Sequence, residues 1–363
     1  MLLVGDSAQP RSLERGDALR ILEQSGTVRV VELLQTQRQK VPALKAAIED
    51  LKADRLQAGW DKLERHGVIK EVIDGEALRE SAVEQHLKAL RSGKTSLMIS
   101  PRHEEARKVG AIVRRQLKAQ GAIGAEDHAV KVLRRLDVGP EACLDLLHYA
   151  PGRVIGFHTR TAGGFRPGEK WTVRETNCES VTLERDGKIR HFKPSAKGKW
   201  DVLVPSTMLV SVGDQNRVTA GFSEGKNVFK NNDIAEVREI TDTELVLNDS
   251  RRMRRDGARI DQGVCITSHA SQCRTVDQVV VLPDGADAKG WYVSLSRARN
   301  AMYVYTRNKA ALRQSVVYPG ERTSVWELVQ TMRNSKSQSR HRMMPDLWAA
   351  RQAEIDRGME MER

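Results

Sequence analysis

Aromatic side chains are scarce, at 4% of the 363 residues, which excludes a binding surface built mainly from stacked bases, because such a surface needs a ring at each step. Cysteine is sparse too. Cys143, Cys178, Cys265 and Cys273 form no CxxC pair, and none stands at a zinc-finger interval from a histidine. A disulfide framework and a structural zinc site are therefore not expected, and reduced thiols in a cytoplasmic protein are. No apolar run reaches the roughly 18 residues that span a bilayer, and no charged-then-apolar leader opens the sequence.

A complete phosphate loop is also missing. Gly93-Lys94-Thr95 matches the end of the pattern G-x-x-x-x-G-K-S/T, but the place of the first glycine is taken by Lys88. A helical pattern precedes this tripeptide and a strand pattern follows it. A phosphate loop needs the reverse order, so that amides at a helix N-terminus face the phosphates. Gly164–Lys170 fails because Glu169 separates Gly168 from Lys170, and no Asp-Glu pair follows a buried strand.

What is present in excess is positive charge. Lys and Arg number 60 against 48 Asp and Glu, a net charge of +12 with a pI near 9.6. Such a surplus favours a polyanionic partner, since binding releases condensed counterions; a basic surface kept for solubility is the plainer alternative. With 39% hydrophobic and 30% charged residues, the chain reads as globular, long enough for two or three domains.

Its patterning changes along the chain. Met1–Val4 is a strand pattern with no lead-in, which predicts sheet neighbours supplied from upstream. A helix is expected near 16–22 and a strand over 28–33, then mostly helix from 41 to 92 with a short strand near 68–72. Ser96–Ser100 is a compact strand and Glu104–Lys118 an amphipathic helix, the alternation of an open α/β sheet. From 151 to 258, short alternating segments between Gly, Asp and Asn turns predict a small inserted antiparallel β domain. Strands resume at 263–267, 278–282 and 301–306. A basic tail, 326–363, includes Arg333–Arg342, with four basic residues and no acidic one.

Four polar blocks stand at strand ends, where α/β sheets place ligand-binding residues. The first is Gly5-Asp6-Ser7-Ala8-Gln9, which an Asx-turn would also explain. The second, Thr36-Gln37-Arg38-Gln39, taken alone would be a solvated loop. The third is Thr267-Ser268-His269-Ala270-Ser271-Gln272, dense in groups that need partners if buried. A satisfied core network remains open for it; one histidine argues poorly for a metal, and there is no nucleophile elbow. The fourth is Tyr292-Val293-Ser294-Leu295-Ser296-Arg297-Ala298-Arg299, read as two arginines on the first turn of a helix capped by Ser296.

Taken in order, GDxxQ, RQ, TSHxSQ and YVxxSRAR resemble motifs III to VI of RecD-like superfamily 1 helicases, more narrowly the helicase part of conjugative relaxases of the F-plasmid type. Ser12–Leu19, Pro101–Ala106 and Ser211–Asp214 fit the same family, and the resemblance covers roughly residues 1–310. It implies a RecA-like parallel sheet, with the remnant of a first RecA-like domain at 1–30. The second such domain would be split between 31–150 and 259–325 around an SH3-like β-barrel at 151–258. It implies that Gln9 senses the γ-phosphate of ATP, that Arg38 and Arg297 reach it from the second domain, and that Gly5, Asp6, Gln39 and Gln272 couple the nucleotide to DNA. Thr267, Ser268, His269 and His103 would face single-stranded DNA.

ATP and Mg²⁺ are the implied cofactors, although the motifs that hold them are missing from these residues. Without the P-loop lysine and a metal-binding carboxylate, two arginines have little to stabilise, so the chain by itself is expected not to hydrolyse ATP. Its partners would be single-stranded DNA and a P-loop-bearing half. The alternatives are a stand-alone, ATPase-inactive single-stranded DNA-binding protein and a partner-docking remnant that uses the basic tail. One departure from the family pattern is local. Where the family has glycine after Ser-Gln, this chain has Cys273, whose side chain would crowd the turn.

Overall fold

Leu97-Met98-Ile99 and Val279-Val280-Val281 are apolar on successive residues, and a strand of that kind is stable only when both its faces are covered. In the computed structural model both segments lie inside a five-stranded parallel sheet. The residues described are Leu22, Val31, 36–136, 142–161, 163–195 and 199–318. The chain divides into a unit of Leu34–Val317 and a second formed by Met1–Leu33 with Tyr318–Arg363; the description below concerns the first. The expected strand over 1–4, the helix near 16–22 except Leu22, the strand over 28–33 except Val31, the first polar block and the basic tail lie outside the described residues.

Helices α1 (Pro42–Lys52) and α2 (Leu56–Arg65) lead to strand β1 (Ile69–Glu71), helix α3 (Gly75–Arg91), strand β2 (Ser96–Ile99) and helix α4 (His103–Ala119). After a long β-rich stretch come β17 (Cys265–Ile266), β18 (Val276–Val281), helix α5 (Ala288–Leu295), β19 (Ala298–Thr306) and helix α6 (Lys309–Val317). The strand order is β1-β19-β18-β2-β17, and every pairing is parallel. Strands from either side of the β-rich stretch thus complete one sheet, the α/β arrangement expected from the sequence.

On one face of the sheet, Leu78, Ala82, Val83 and Leu87 of α3 and Ala106, Val109 and Val113 of α4 pack on Met98, Cys265 and Val280. Alternate residues of the strands, Leu97, Ile99, Val279 and Val281, project to the other face and are buried as well. Helix α5 lies against β18, and its Trp291 stacks on Trp60 of α2 with ring centroids 5.9 Å apart.

The β-rich stretch is an inserted, mainly antiparallel region, as expected, and is larger than the sequence pattern indicated. It begins with β3 (His128–Arg135), whose eight residues pair antiparallel with β8 (Trp200–Val210), and it ends with β16 (Ile260–Gln262), paired with β9 (Gln215–Val218). The expected limits of 151 and 258 both fall inside it. Nor is it one small barrel. A seven-stranded sheet and a five-stranded sheet enclose two separate cores. Strand β8 is long enough to serve both: Trp200 and Val202 lie in an aromatic core with Phe157, Phe165, Trp171 and Phe192. Met208 and Val210 lie in the other, with Val130 and Val132 of β3, Val237, Leu245 and Ile260.

Polar groups are buried beside the parallel sheet as well, among them His86 and Gln278. His86 of α3 is 4% exposed, and its Nδ1 lies 2.8 Å from Ser96 Oγ, which also accepts from Gln278 Nε2. Burial pushes the pKa of His86 down to about 4, below its value in an unfolded chain. The neutral form therefore stabilises the fold fully above the unfolded pKa near 6.5, and that contribution is lost as pH falls toward the folded pKa. From this group alone, unfolding in urea should show roughly 2 kcal/mol less stability at pH 5 than at pH 7. His86→Gln should flatten that slope; an unchanged slope would contradict the assignment.

Candidate functional site

Two groups of the polar residues singled out by sequence lie at opposite edges of the parallel sheet. The first is at the amino ends of β18 and β19. Gln39, only 5% exposed, donates through Nε2 to the carbonyls of Ser296 at 3.1 Å and Ala298 at 3.0 Å. Thr36 Oγ1 orients the carboxamide by donating to its Oε1 at 2.7 Å, and the Lys40 amide donates to the Arg299 carbonyl at 2.8 Å. These bonds lay the segment 36–40 along the turn that joins α5 to β19.

Both candidate arginines converge on that turn. Arg38 donates through Nη1 to the Ser296 carbonyl at 2.7 Å and through Nε to Thr275 Oγ1 at 2.9 Å. Arg297, 4% exposed, donates through Nη2 to the Ser296 hydroxyl at 2.8 Å and through Nε to the Val293 carbonyl at 3.0 Å. Arg38, Gln39 and Arg297 thus share Ser296, although Arg38 and Ser296 are 258 positions apart in the sequence. Planar guanidinium groups held in this way suit phosphoryl oxygens.

The local structure around Arg297 corrects one expectation. Arg297 and Arg299 do not begin a helix. Asp287 caps α5 by accepting from the Gly290 amide at 2.8 Å, and the helix ends at Leu295, where Ser296 closes it through its amide bond to the Tyr292 carbonyl. Arg297 lies in the following turn and Arg299 already in β19. The apolar alternation through Met302 and Val304 reaches back far enough to draw Ala298–Asn300 into the strand.

The Gly-Lys-Thr tripeptide lies at the same edge, but as a connection. Gly93 has φ 71° and follows α3 as its left-handed exit, with the Lys94 amide bonded back to the Ala89 carbonyl. Thr95 donates through its amide (3.0 Å) and its hydroxyl (2.7 Å) to Asp277 Oδ2, and its hydroxyl accepts from the Asp277 amide. Those bonds, rather than phosphate, account for Thr95.

At the carboxyl edge stand His103 and Thr267–His269. Cys265 and Ile266 pair with Met98 and Ile99, and the Ser100 amide donates to the Ile266 carbonyl, so the chain leaves both strands side by side. Thr267 Oγ1 accepts from the Ala270 amide at 3.3 Å, and Ser271 Oγ donates to the Ser268 carbonyl at 2.6 Å. Thr267 and Ser271 therefore serve the turn itself. His269 is exposed, and Ser268 and Gln272 are half-buried. Segment 267–275 runs from the carboxyl end of β17 to the amino end of β18, so Thr275, which binds Arg38, joins the two edges.

Sequence reasoning missed Ser296 and Thr275 as anchors, because serine and threonine at strand ends look like ordinary caps. It also missed the buried arginines of the β-rich stretch, among them Arg217 and Arg259, each 7% exposed. Gly5, Asp6 and Gln9 lie outside the described residues. Among those residues, no group of three or more His, Cys, Asp or Glu could hold a metal ion.

A family model described as an AAA domain matches residues 1–74. No curated protein matches the sequence. Among solved structures, the chain is similar to the Pif1 helicase from Bacteroides in complex with ADP-AlF3 and ssDNA, at 16% identity over 85% of this chain and 57% of that one, with a TM-score of 0.32. Unliganded Pif1 from Bacteroides is 15% identical over 83% and 56%, with a TM-score of 0.28. Pif1 helicase from Candida albicans is 13% identical over 82% and 59%, with a TM-score of 0.27. The chain spans less than two thirds of the length of each.

Cys273 occupies the position where the sequence pattern anticipates glycine, and its φ is 64°. The turn keeps the left-handed conformation that glycine favours, and the cysteine Cβ bears a cost of about 1–2 kcal/mol there. Cys273→Gly should raise stability by roughly 0.5–1 kcal/mol, the difference being returned as unfolded-state entropy, and Cys273→Val should lower it. Thermal unfolding checks both; a lower Tm for the glycine variant would contradict the strain.

Proposed function

We propose that this chain is the C-terminal portion of the motor of an ATP-dependent superfamily 1 DNA helicase, of the kind attached to conjugative relaxases. Arg38 and Arg297 would reach the γ-phosphate of ATP from their shared turn. The observation that carries this reading is the meeting of Arg38, Gln39 and Arg297 on Ser296, which brings the second and fourth sequence motifs onto one turn. The AAA-domain match supports it, since residues 1–74 include Gln9, Arg38 and Gln39. The net charge of +12 suits a nucleic-acid partner.

The residues present fit the phosphate end of a nucleotide and not its metal. Guanidinium groups fixed on a turn stabilise charge on a transferring phosphoryl group. Mg²⁺ would be held by motifs that this sequence does not contain. When bound, the metal would neutralise the phosphate oxygens; the part of this chain's own residues is to position two cations. At the other edge of the sheet, His103, Ser268 and His269 would face single-stranded DNA, and Gln272 with segment 267–275 would link that edge to the Arg38 anchor. The absence of a P-loop favours, as a second reading, a single-stranded DNA-binding protein that does not turn over ATP.

Fluorescence anisotropy with a labelled oligo-dT, together with hydrolysis of radiolabelled ATP, tests both halves of the proposal. The chain should bind the oligonucleotide, with an affinity that falls tenfold or more (order of magnitude) as salt rises from about 50 to 200 mM. It should not hydrolyse ATP with or without DNA. Turnover that disappears in Arg297→Ala would contradict the need for an external P-loop, and no binding at low salt would contradict the DNA partner.

A further inference from the structure

A shallow recess with room for about one water-sized group opens to solvent where α4 meets β16 and β9. Cys265 and Ile266 of the parallel sheet line it, together with His103 and Arg107 of α4, Arg217 of β9, and Asp261 and Gln262 of β16. We propose that this recess is an anion site that admits one oxygen of a phosphate group seated at its mouth, with Arg107 and Arg217 as its principal donors.

The charges around it do not balance. Asp261 is the one acid in the lining, and it is already engaged: Oδ2 accepts from Arg107 Nη2 at 3.2 Å and Nε at 3.3 Å, and Oδ1 accepts from the Gln262 amide at 2.9 Å. Arg134 and Arg274 add two further cations whose charge is felt there, Arg134 by interacting with Asp261 and Arg107 and Arg274 by repelling Arg217. Asp233, the acid that attracts Arg274, is bound by Arg251 at 2.9 Å.

Donors are left over as well. Arg217 is 7% exposed, and its Nη1 donates to Asn232 Oδ1 at 3.0 Å. Its Nε has no partner among the described residues, and neither has Arg134 Nε. Burial pushes the guanidinium groups of Arg134, Arg217 and Arg274 down from their usual range. Of these arginines Arg217 is the buried one; a buried cation costs several kcal/mol unless it is paired, and the one carboxylate of the lining is already bound by Arg107. A group with several oxygens and one or two negative charges supplies what is missing, and arginine forks match phosphate geometry.

Its position favours a phosphate that belongs to a polymer. Cys265 and Ile266 immediately precede Thr267-Ser268-His269, and His103 stands at the rim, so a strand crossing that edge would bring a backbone phosphodiester to the recess. The phosphate site itself does not rest on the ATP reading; only its assignment to a DNA backbone rests on the proposed DNA partner.

The test uses the full chain, inorganic phosphate, and the oligo-dT. Phosphate at about 10 mM, compared with chloride at matched ionic strength, should raise Tm, as any ligand of the folded state does. Arg217→Met should abolish the shift. Because Arg217 is buried and that variant can fail to fold, Arg107→Gln serves as the second variant; the Arg107 side chain is 39% exposed. It should reduce the phosphate shift, weaken oligo-dT binding about fivefold, and lower the slope of log affinity against log salt by about 0.7, the loss of one phosphate contact to a single strand. A phosphate shift lost in Arg107→Gln with oligo-dT affinity unchanged would support the site and assign it to free phosphate. A folded Arg107→Gln that matches the wild type in both measurements would overturn it, leaving the arginines as links between α4 and the β-rich stretch. The wild type would still bind oligo-dT in that case, so failure of this site is distinct from failure of the DNA reading.

Discussion

The turn at Ser296 is held by hydrogen bonds that arrive from far away in the sequence, and the arrangement of the candidate site depends on it. Its carbonyl accepts from both Arg38 and Gln39, and its hydroxyl accepts from Arg297. The Gln39 carboxamide is buried, so each of its bonds would leave an unsatisfied group if broken, at a cost of about 1–3 kcal/mol. That penalty, more than the intrinsic strength of the bonds, keeps the segment 36–40 against β19. A guanidinium anchored in this way loses little further freedom on meeting an anion, which is the condition for electrostatic stabilisation without reorganisation.

The β-rich stretch is joined to the parallel sheet through a helix at one end and a two-residue connection at the other. Helix α4 leads into β3, and β16 is separated from β17 by only Gly263 and Val264. Gly263 admits no side chain easily, since a Cβ there would stand 3.0 Å from the Gln215 carbonyl oxygen. Further ties cross the junction. Arg107 and Asp261 bridge α4 and β16, and Arg114 of α4 binds Asp127 and Asp214, holding Asp127 well below the usual carboxylate range. Strand β8 then links the two β cores, with Trp200 and Val202 in one and Met208 and Val210 in the other.

Much of the parallel sheet was legible from sequence, because Leu97-Met98-Ile99 and Val279-Val280-Val281 leave little choice but a doubly covered strand. The order of the polar blocks was legible too, and two of them do meet in space. Strand β3 was not: Val132 and Leu133 are buried on successive residues and Arg134 and Arg135 follow together, which breaks the period of two that marks a strand. Pro205 hid β8, since proline in a long strand argues for a break, although the ladder with β3 runs straight through it. The Arg297 turn was misread because Trp291–Leu295 and Met302–Thr306 are both apolar, and periodicity alone does not mark where helix gives way to strand. The burial of Gln39 and Arg217 depends on partners hundreds of positions away or on neighbouring strands, which no local window contains.

The docking of segment 36–40 on the Thr275 and Ser296 turns is the central physical claim, and a double-mutant cycle on the 2.9 Å bond between Arg38 Nε and Thr275 Oγ1 tests it most directly. Arg38→Ala, Thr275→Val and the double variant would be unfolded in urea under identical conditions. For a half-buried bond from a charged donor, the coupling energy should be on the order of 1 kcal/mol. A coupling indistinguishable from zero, with both single variants folded, would mean that the two segments do not meet.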